Sequence, residues 1–125
     1  MELVGRELTE ELIGAAYAVH NELGSGFPEK VYENAMAVEL RSRKIAFRTQ
    51  VPLKVKYRGD PVGEYFADMI VENSVICEFK ALETAPKEAE IQLVNYLVAT
   101  GIDIRLLINF GKSVTVRRKF GTHKK

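Results

Sequence analysis

The sequence predicts an α/β domain, and three observations carry that reading. Two stretches near the start place apolar residues at helical spacing, several later ones alternate apolar with polar residues, and one further helical stretch interrupts the strands. The expected order is helix, helix, three strands, helix, two strands, here written α-α-β-β-β-α-β-β. The 125 residues suffice for one domain with one core, spanning 1–125, and no repeat, linker or low-complexity segment divides them.

The first helix is expected from Thr9 to Leu23, where Leu12, Ala16, Val19 and Leu23 form an apolar stripe that Gly24-Ser25-Gly26 stops. His20 stands beside that stripe; a half-buried histidine bonded to backbone is the ordinary reading, a ligand the sharper one. A second helix is expected from Pro28 to Arg43, with proline suited to a first turn that needs no N–H. Glu29 in that turn favours the positive end of the helix dipole. Tyr32, Met36 and Leu40 follow it on the same face, so the acid also stands at one end of an inward surface.

Phe47 to Tyr57 alternates Val51, Leu53, Val55 and Tyr57 with Lys54 and Lys56, the pattern of a strand with one wet face, and Arg58-Gly59-Asp60-Pro61 turns the chain. The third helix is expected to start within Thr84-Ala85-Pro86-Lys87-Glu88 and to end at Gly101, with Gln92 and Tyr96 on one face. Taken alone, that pair reads as a boundary amide beside a core tyrosine. Arg105 to Phe110 is nearly all apolar, as in a strand buried on both faces, and Ser113 to Phe120 closes the chain with alternating Val114 and Val116.

The hairpin from Tyr65 to Lys80 holds charges where they are hardest to explain. Val, Ile, Phe and Cys dominate its arms, Glu72-Asn73-Ser74 supplies the turn, and Asp68, Glu78 and Lys80 lie inside. A turn centred on Asn73 sets Val71 opposite Val75 and Asp68 opposite Glu78, with Cβ atoms about 4.5 to 5.5 Å apart, where like charges destabilise. Burying two such carboxylates costs several kcal/mol unless a cation compensates. A divalent metal and Lys80 acting alone are equal candidates on the hairpin itself.

Composition narrows the class. Hydrophobic residues at 46% and charged residues at 28% are ordinary for a globular protein. No apolar run approaches the roughly 20 residues of a membrane span and the first residues lack a signal-peptide layout, so a cytoplasmic location is expected. The single Cys77 excludes an internal disulfide and multi-cysteine metal sites, and its place beside Glu78 points it to the opposite, core face. Net charge of +1 gives no broad case for nucleic acid. Basic residues nevertheless cluster at Arg41, Arg43, Lys44 and Arg48, and again at Arg117, Arg118, Lys119, His123, Lys124 and Lys125; such clusters can meet phosphates, though a solvated basic tail is the commoner case.

Asp68 followed by Glu78-Phe79-Lys80 on the next strand resembles the Asp and Glu-x-Lys signature of the PD-(D/E)XK nuclease superfamily. Gln92-Leu93-Val94-Asn95-Tyr96 is similar to the Gln-x-x-x-Tyr motif of its RecB-like branch, and Gly26-Phe27-Pro28-Glu29-Lys30-Val31-Tyr32 to the pattern of the small GxxExxY family within that branch. The similarity extends from about Leu8 to Phe110; the nominal proline before the acid is replaced by Ala67. The resemblance implies a restriction-endonuclease-like core, a mixed central sheet flanked by helices, and a nuclease using Mg²⁺ or Mn²⁺ on DNA ahead of RNA. It further implies metal ligation by Asp68, Glu78, the Phe79 carbonyl and Glu29, with His20 a further candidate. Lys80 would position the nucleophile or stabilise phosphorane charge, and Gln92 and Tyr96 would orient lysine and phosphate.

Two other classes compete. One is a catalytically silent nucleic-acid-binding or protein-interaction module on the same fold, and the other is a metal-free ion cluster of purely structural purpose. The chain's small size leaves little room for target recognition, so weak sequence specificity, a homodimer or a targeting partner protein is expected, the homodimer also suggested by the apolar 105–110 strand.

Overall fold

The computed structural model describes residues 5–83 and 101–120. The expected third helix, with Gln92 and Tyr96, lies outside the described residues. Two helices, α1 (Gly5–Leu23) and α2 (Glu29–Ser42), precede β1 (Phe47–Tyr57), β2 (Asp60–Val71) and β3 (Val75–Lys80); β4 (Ile104–Phe110) and β5 (Val114–Phe120) follow. The five strands form one sheet in chain order. Among the described strands only β3 and β4 run parallel, so the sheet is mixed, consistent with a restriction-endonuclease-like core. Among the described residues no helix is long and apolar enough to cross a membrane.

Helix α1 starts earlier than its sequence signals suggest. Thr9 does not cap it: the Thr9 hydroxyl donates to Arg6 O inside the helix at 2.8 Å and the residue is buried, so the helix runs through. Leu8, Leu12, Ala15, Ala16 and Val19 then join Tyr32, Met36 and Leu40 of α2 in the main core against Met69, Val71, Cys77, Phe79, Leu106, Ile108 and Phe110. Each fully buried leucine there contributes roughly 1.5 to 3 kcal/mol. Arg43 ties the two helices together, bonding Glu39 at 2.8 Å and Glu11 at 2.9 Å.

Strand β4 sits between β3 and β5 and buries both faces, with Leu106, Ile108 and Phe110 in the main core and Leu107 in a second cluster with Ile70 and Ile76. Its apolarity is therefore used within the chain.

The first two hairpin turns follow local chemistry. Arg58 and Gly59, both at positive φ, link Tyr57 to Asp60 in a two-residue loop. Glu72 and Asn73, at φ 54° and 53°, lie in the turn that the Ser74 N–H closes on Val71 O at 2.9 Å. Glu72 is unusual at that angle, and it is held by backbone and side-chain bonds to Ala46. The register is the one a turn at Asn73 dictates: Val71 pairs with Val75, Ile70 with Ile76, Met69 with Cys77.

Candidate active site

The β2–β3 ladder stops one step before Asp68 and Glu78 would pair. From there β3 keeps its parallel partner as far as Lys80 opposite Asn109, while β2 stays paired with β1. The sheet forks at the two acids, and side chains replace the ladder. Phe79 N donates to Asp68 Oδ2 at 2.8 Å, and Asp68 N donates to Glu78 Oε2 at 3.3 Å. Each carboxylate thus fastens the opposite strand.

This crowding has electrostatic consequences. Burial, and then the charge of Asp68, push the Glu78 carboxyl from its ordinary 4.5 up to about 8, against the opposing pull of the Asp68 N–H and Lys80. Burial also raises Asp68, with Glu33 adding to it and the Phe79 N–H, Gln50 and Lys80 opposing. Glu29, half-buried at the start of α2, is raised by burial and by the charges of Asp68 and Glu33, and lowered by Lys80 and Lys30. Glu29, Asp68, Glu78 and Lys80 therefore occupy one electrostatic neighbourhood, drawn from α2, β2 and β3.

The turn that presents Glu29 is locked by Tyr32. The Tyr32 hydroxyl donates to Gly24 O at 2.6 Å and accepts from Phe27 N at 3.3 Å, while its ring stacks on Phe110 with centroids 4.6 Å apart. Gly26 between them takes φ +105°, which a residue with a Cβ rarely adopts. The glycine bends the chain, the acid opens the helix and the tyrosine clamps both to β4.

Two site residues carry no signal that sequence reasoning used. Glu33, one turn after Glu29, is buried; Lys30 Nζ donates to it at 3.3 Å and Gln50 Nε2 at 3.1 Å. The same Gln50 amide donates to Asp68 Oδ1 at 3.3 Å, bridging two acids. Gln50 lies at φ +49° in mid-strand, where the β1–β2 register passes from Thr49–Met69 to Val51–Ala67 without pairing it. Helical spacing from Glu29 could have indicated Glu33; nothing local indicates a left-handed glutamine.

His20 takes its ordinary place: Nε2 donates to Gly111 O at 2.8 Å, which occupies that nitrogen. Beyond Lys80, the buried Asn109 side chain bonds both Leu82 N at 2.9 Å and Leu82 O at 2.7 Å, pinning the segment that leaves β3. Gly111 completes this contact, since a Cβ there would lie 2.6 Å from Leu82 O. The central basic cluster is largely engaged in the fold, with Arg43 on Glu39 and Glu11, Arg48 on Asn73 and Arg41 over the Phe47 ring. Cys77 is fully buried on the helix side, where burial pushes its thiol well up.

Among the described residues, no three His, Cys, Asp or Glu side chains are gathered to hold a metal ion by themselves. The donor set still suits a hard cation. Mg²⁺ is commonly held by one or two carboxylates plus water and substrate phosphate, rather than by an all-protein cage. Asp68 and Glu78 supply such a pair, with proton affinities raised by burial that a divalent charge would relieve.

A family model described as the PD-(D/E)XK nuclease superfamily matches residues 6–120. No match is found among curated proteins or among solved structures.

Proposed function

Because the chain belongs to the PD-(D/E)XK nuclease superfamily, we propose that it is a divalent-metal-dependent nuclease that hydrolyses phosphodiester bonds in DNA, of the GxxExxY type within the RecB-like branch. The observation that carries this reading is the fork in the sheet, where Asp68 and Glu78 face each other half-buried beside Lys80.

Asp68 and Glu78 with the Phe79 carbonyl would hold Mg²⁺ or Mn²⁺, with Glu29 reaching it through water, and the ion when bound supplies a Lewis acid and an acidified water. Lys80 carries positive charge at the same place and stabilises negative charge developing on the phosphate. Gln50, itself anchored on Glu33, holds Asp68 in place from one side, and the Phe79 N–H from the other. Gln92 and Tyr96 enter the proposal through their motif alone, as residues that orient Lys80 and the phosphate. Target choice falls to a second copy of the chain or to a partner protein in the cytoplasm.

A specific observation favours a second reading, a structural acid cluster without metal: both carboxylates already accept backbone N–H groups across the fork. Titration calorimetry separates the two. Mn²⁺ binding that weakens in Asp68→Asn supports the nuclease site, and no heat at any pH supports the structural cluster. A cleavage panel of single-stranded, duplex and branched DNA and of RNA, in Mg²⁺ and in Mn²⁺, then defines the substrate.

A further inference from the structure

Beyond the fork, β1 and β2 continue as a two-stranded ribbon. Residues 56–66 are all exposed, whereas the pairing of β2 with β3 covers only Met69 to Val71. The ribbon ends in the tight Arg58-Gly59 turn and is paired along most of its length, so it holds its own shape. Register assigns its side chains to faces: Phe66 stands opposite Pro52, and Glu64 opposite Lys54. Directly paired residues project to the same side and alternate along each strand, so Phe66, Pro52, Lys54 and Glu64 share one face. Lys56 follows Lys54 on β1, at the point where the register shifts.

Phe66 is 52% exposed, large for a phenylalanine on a strand. It lies two residues from Asp68, about 7 Å along the strand at ~3.4 Å per residue. An exposed aromatic ring next to lysines is the composition that binds unpaired nucleic acid: bases stack on the ring and phosphates meet the ammonium groups. Duplex binding needs only the charges, because paired bases present no open face to a ring.

We propose that this ribbon face is a substrate-strand platform, on which Phe66 stacks an unpaired base next to the phosphate at Asp68 while Lys54 and Lys56 hold the neighbouring backbone. Glu64, opposite Lys54, weakens one of the two charges, which leaves stacking as the main source of affinity. The inference rests on the nuclease reading and assigns its substrate class, a single strand or an unpaired flap.

The test is binding without cleavage. In EDTA, fluorescence anisotropy is measured on a short labelled oligothymidylate and on a duplex of equal length. Phe66→Ala is expected to weaken single-strand binding about 5- to 150-fold, Phe66→Tyr to restore it, and duplex binding to change little. Lys54→Gln with Lys56→Gln is expected to lower the log–log salt slope for the single strand by about 1.4. Because Phe66 is exposed, circular dichroism should show an unchanged fold. Equal loss on both substrates, binding within twofold of the parent in Phe66→Ala, or no oligonucleotide binding at all overturns the platform. The nuclease reading is judged separately, by cleavage in Glu78 and Lys80 variants: the platform can fail while metal-dependent cleavage stands, and cleavage can be absent while stacking on Phe66 is found.

Discussion

Replacing Glu78 by glutamine should flatten the pH dependence of stability in EDTA. The folded state raises the Glu78 carboxyl from 4.5 to about 8, so it keeps a proton that the unfolded chain has already released. This contribution is complete below pH 4.5, declines as pH rises, and is gone above about 8. At about 1.36 kcal/mol per pH unit, that window corresponds to a ceiling of about 5 kcal/mol, which relaxation of the site reduces. Even half of it is a large fraction of the roughly 5 to 15 kcal/mol that holds a domain together. Glu78→Gln keeps an oxygen to accept the Asp68 N–H but cannot titrate. Asp68 and Glu29 are raised too, so they leave the variant a smaller decline of the same sign. Urea unfolding at half-unit steps from pH 4.5 to 9 measures the difference directly. A variant whose stability falls as steeply as the parent's would show that Glu78 does not keep its proton in the folded state.

Mg²⁺ or Mn²⁺ should raise the melting temperature more at pH 8.5 than at pH 5.5, because cation binding requires the deprotonated acids; differential scanning fluorimetry reads this, and Asp68→Asn should abolish it. Tyr32→Phe keeps the stack on Phe110 but loses the bond to Gly24 O, so it should cost about 0.5 to 1.5 kcal/mol in urea unfolding and lower cleavage through a looser Glu29 turn. Asn109→Leu leaves both Leu82 backbone groups without their side-chain partner and should cost about 2 to 4 kcal/mol, measured the same way.

Much of this architecture is legible in the sequence because it depends on neighbours along the chain. The strand from Phe47 to Tyr57 is observed with those bounds, since alternation and the Arg58-Gly59 turn fix it locally. The pairing of Val71 with Val75 follows from the turn at Glu72 and Asn73. The glycine, acid and tyrosine around α2 likewise read as one unit, and the structure supplies its reason in the Tyr32 hydroxyl on Gly24 O. Contacts between distant segments leave no such trace. The bridge from Gln50 to Glu33 and Asp68 joins residues up to 18 positions apart through a left-handed backbone that no residue type announces. The fork itself was half legible: sequence set Asp68 opposite Glu78, but the end of the ladder there depends on β3 staying with β4. The same holds for β4, whose apolar run is explained by burial on both faces inside the sheet.

If Asp68, Glu78 and Lys80 form a metal-dependent phosphodiesterase site, cleavage must depend on the metal and on each of these side chains. Purified parent, Glu78→Gln and Lys80→Ala proteins, each shown to be folded by circular dichroism, are assayed on labelled DNA with Mg²⁺, with Mn²⁺ and with EDTA. The expected result is cleavage by the parent in metal alone, and a loss of at least about 100-fold in both variants, the scale on which removing one transition-state stabilising group acts. Cleavage that persists undiminished in both folded variants would contradict it.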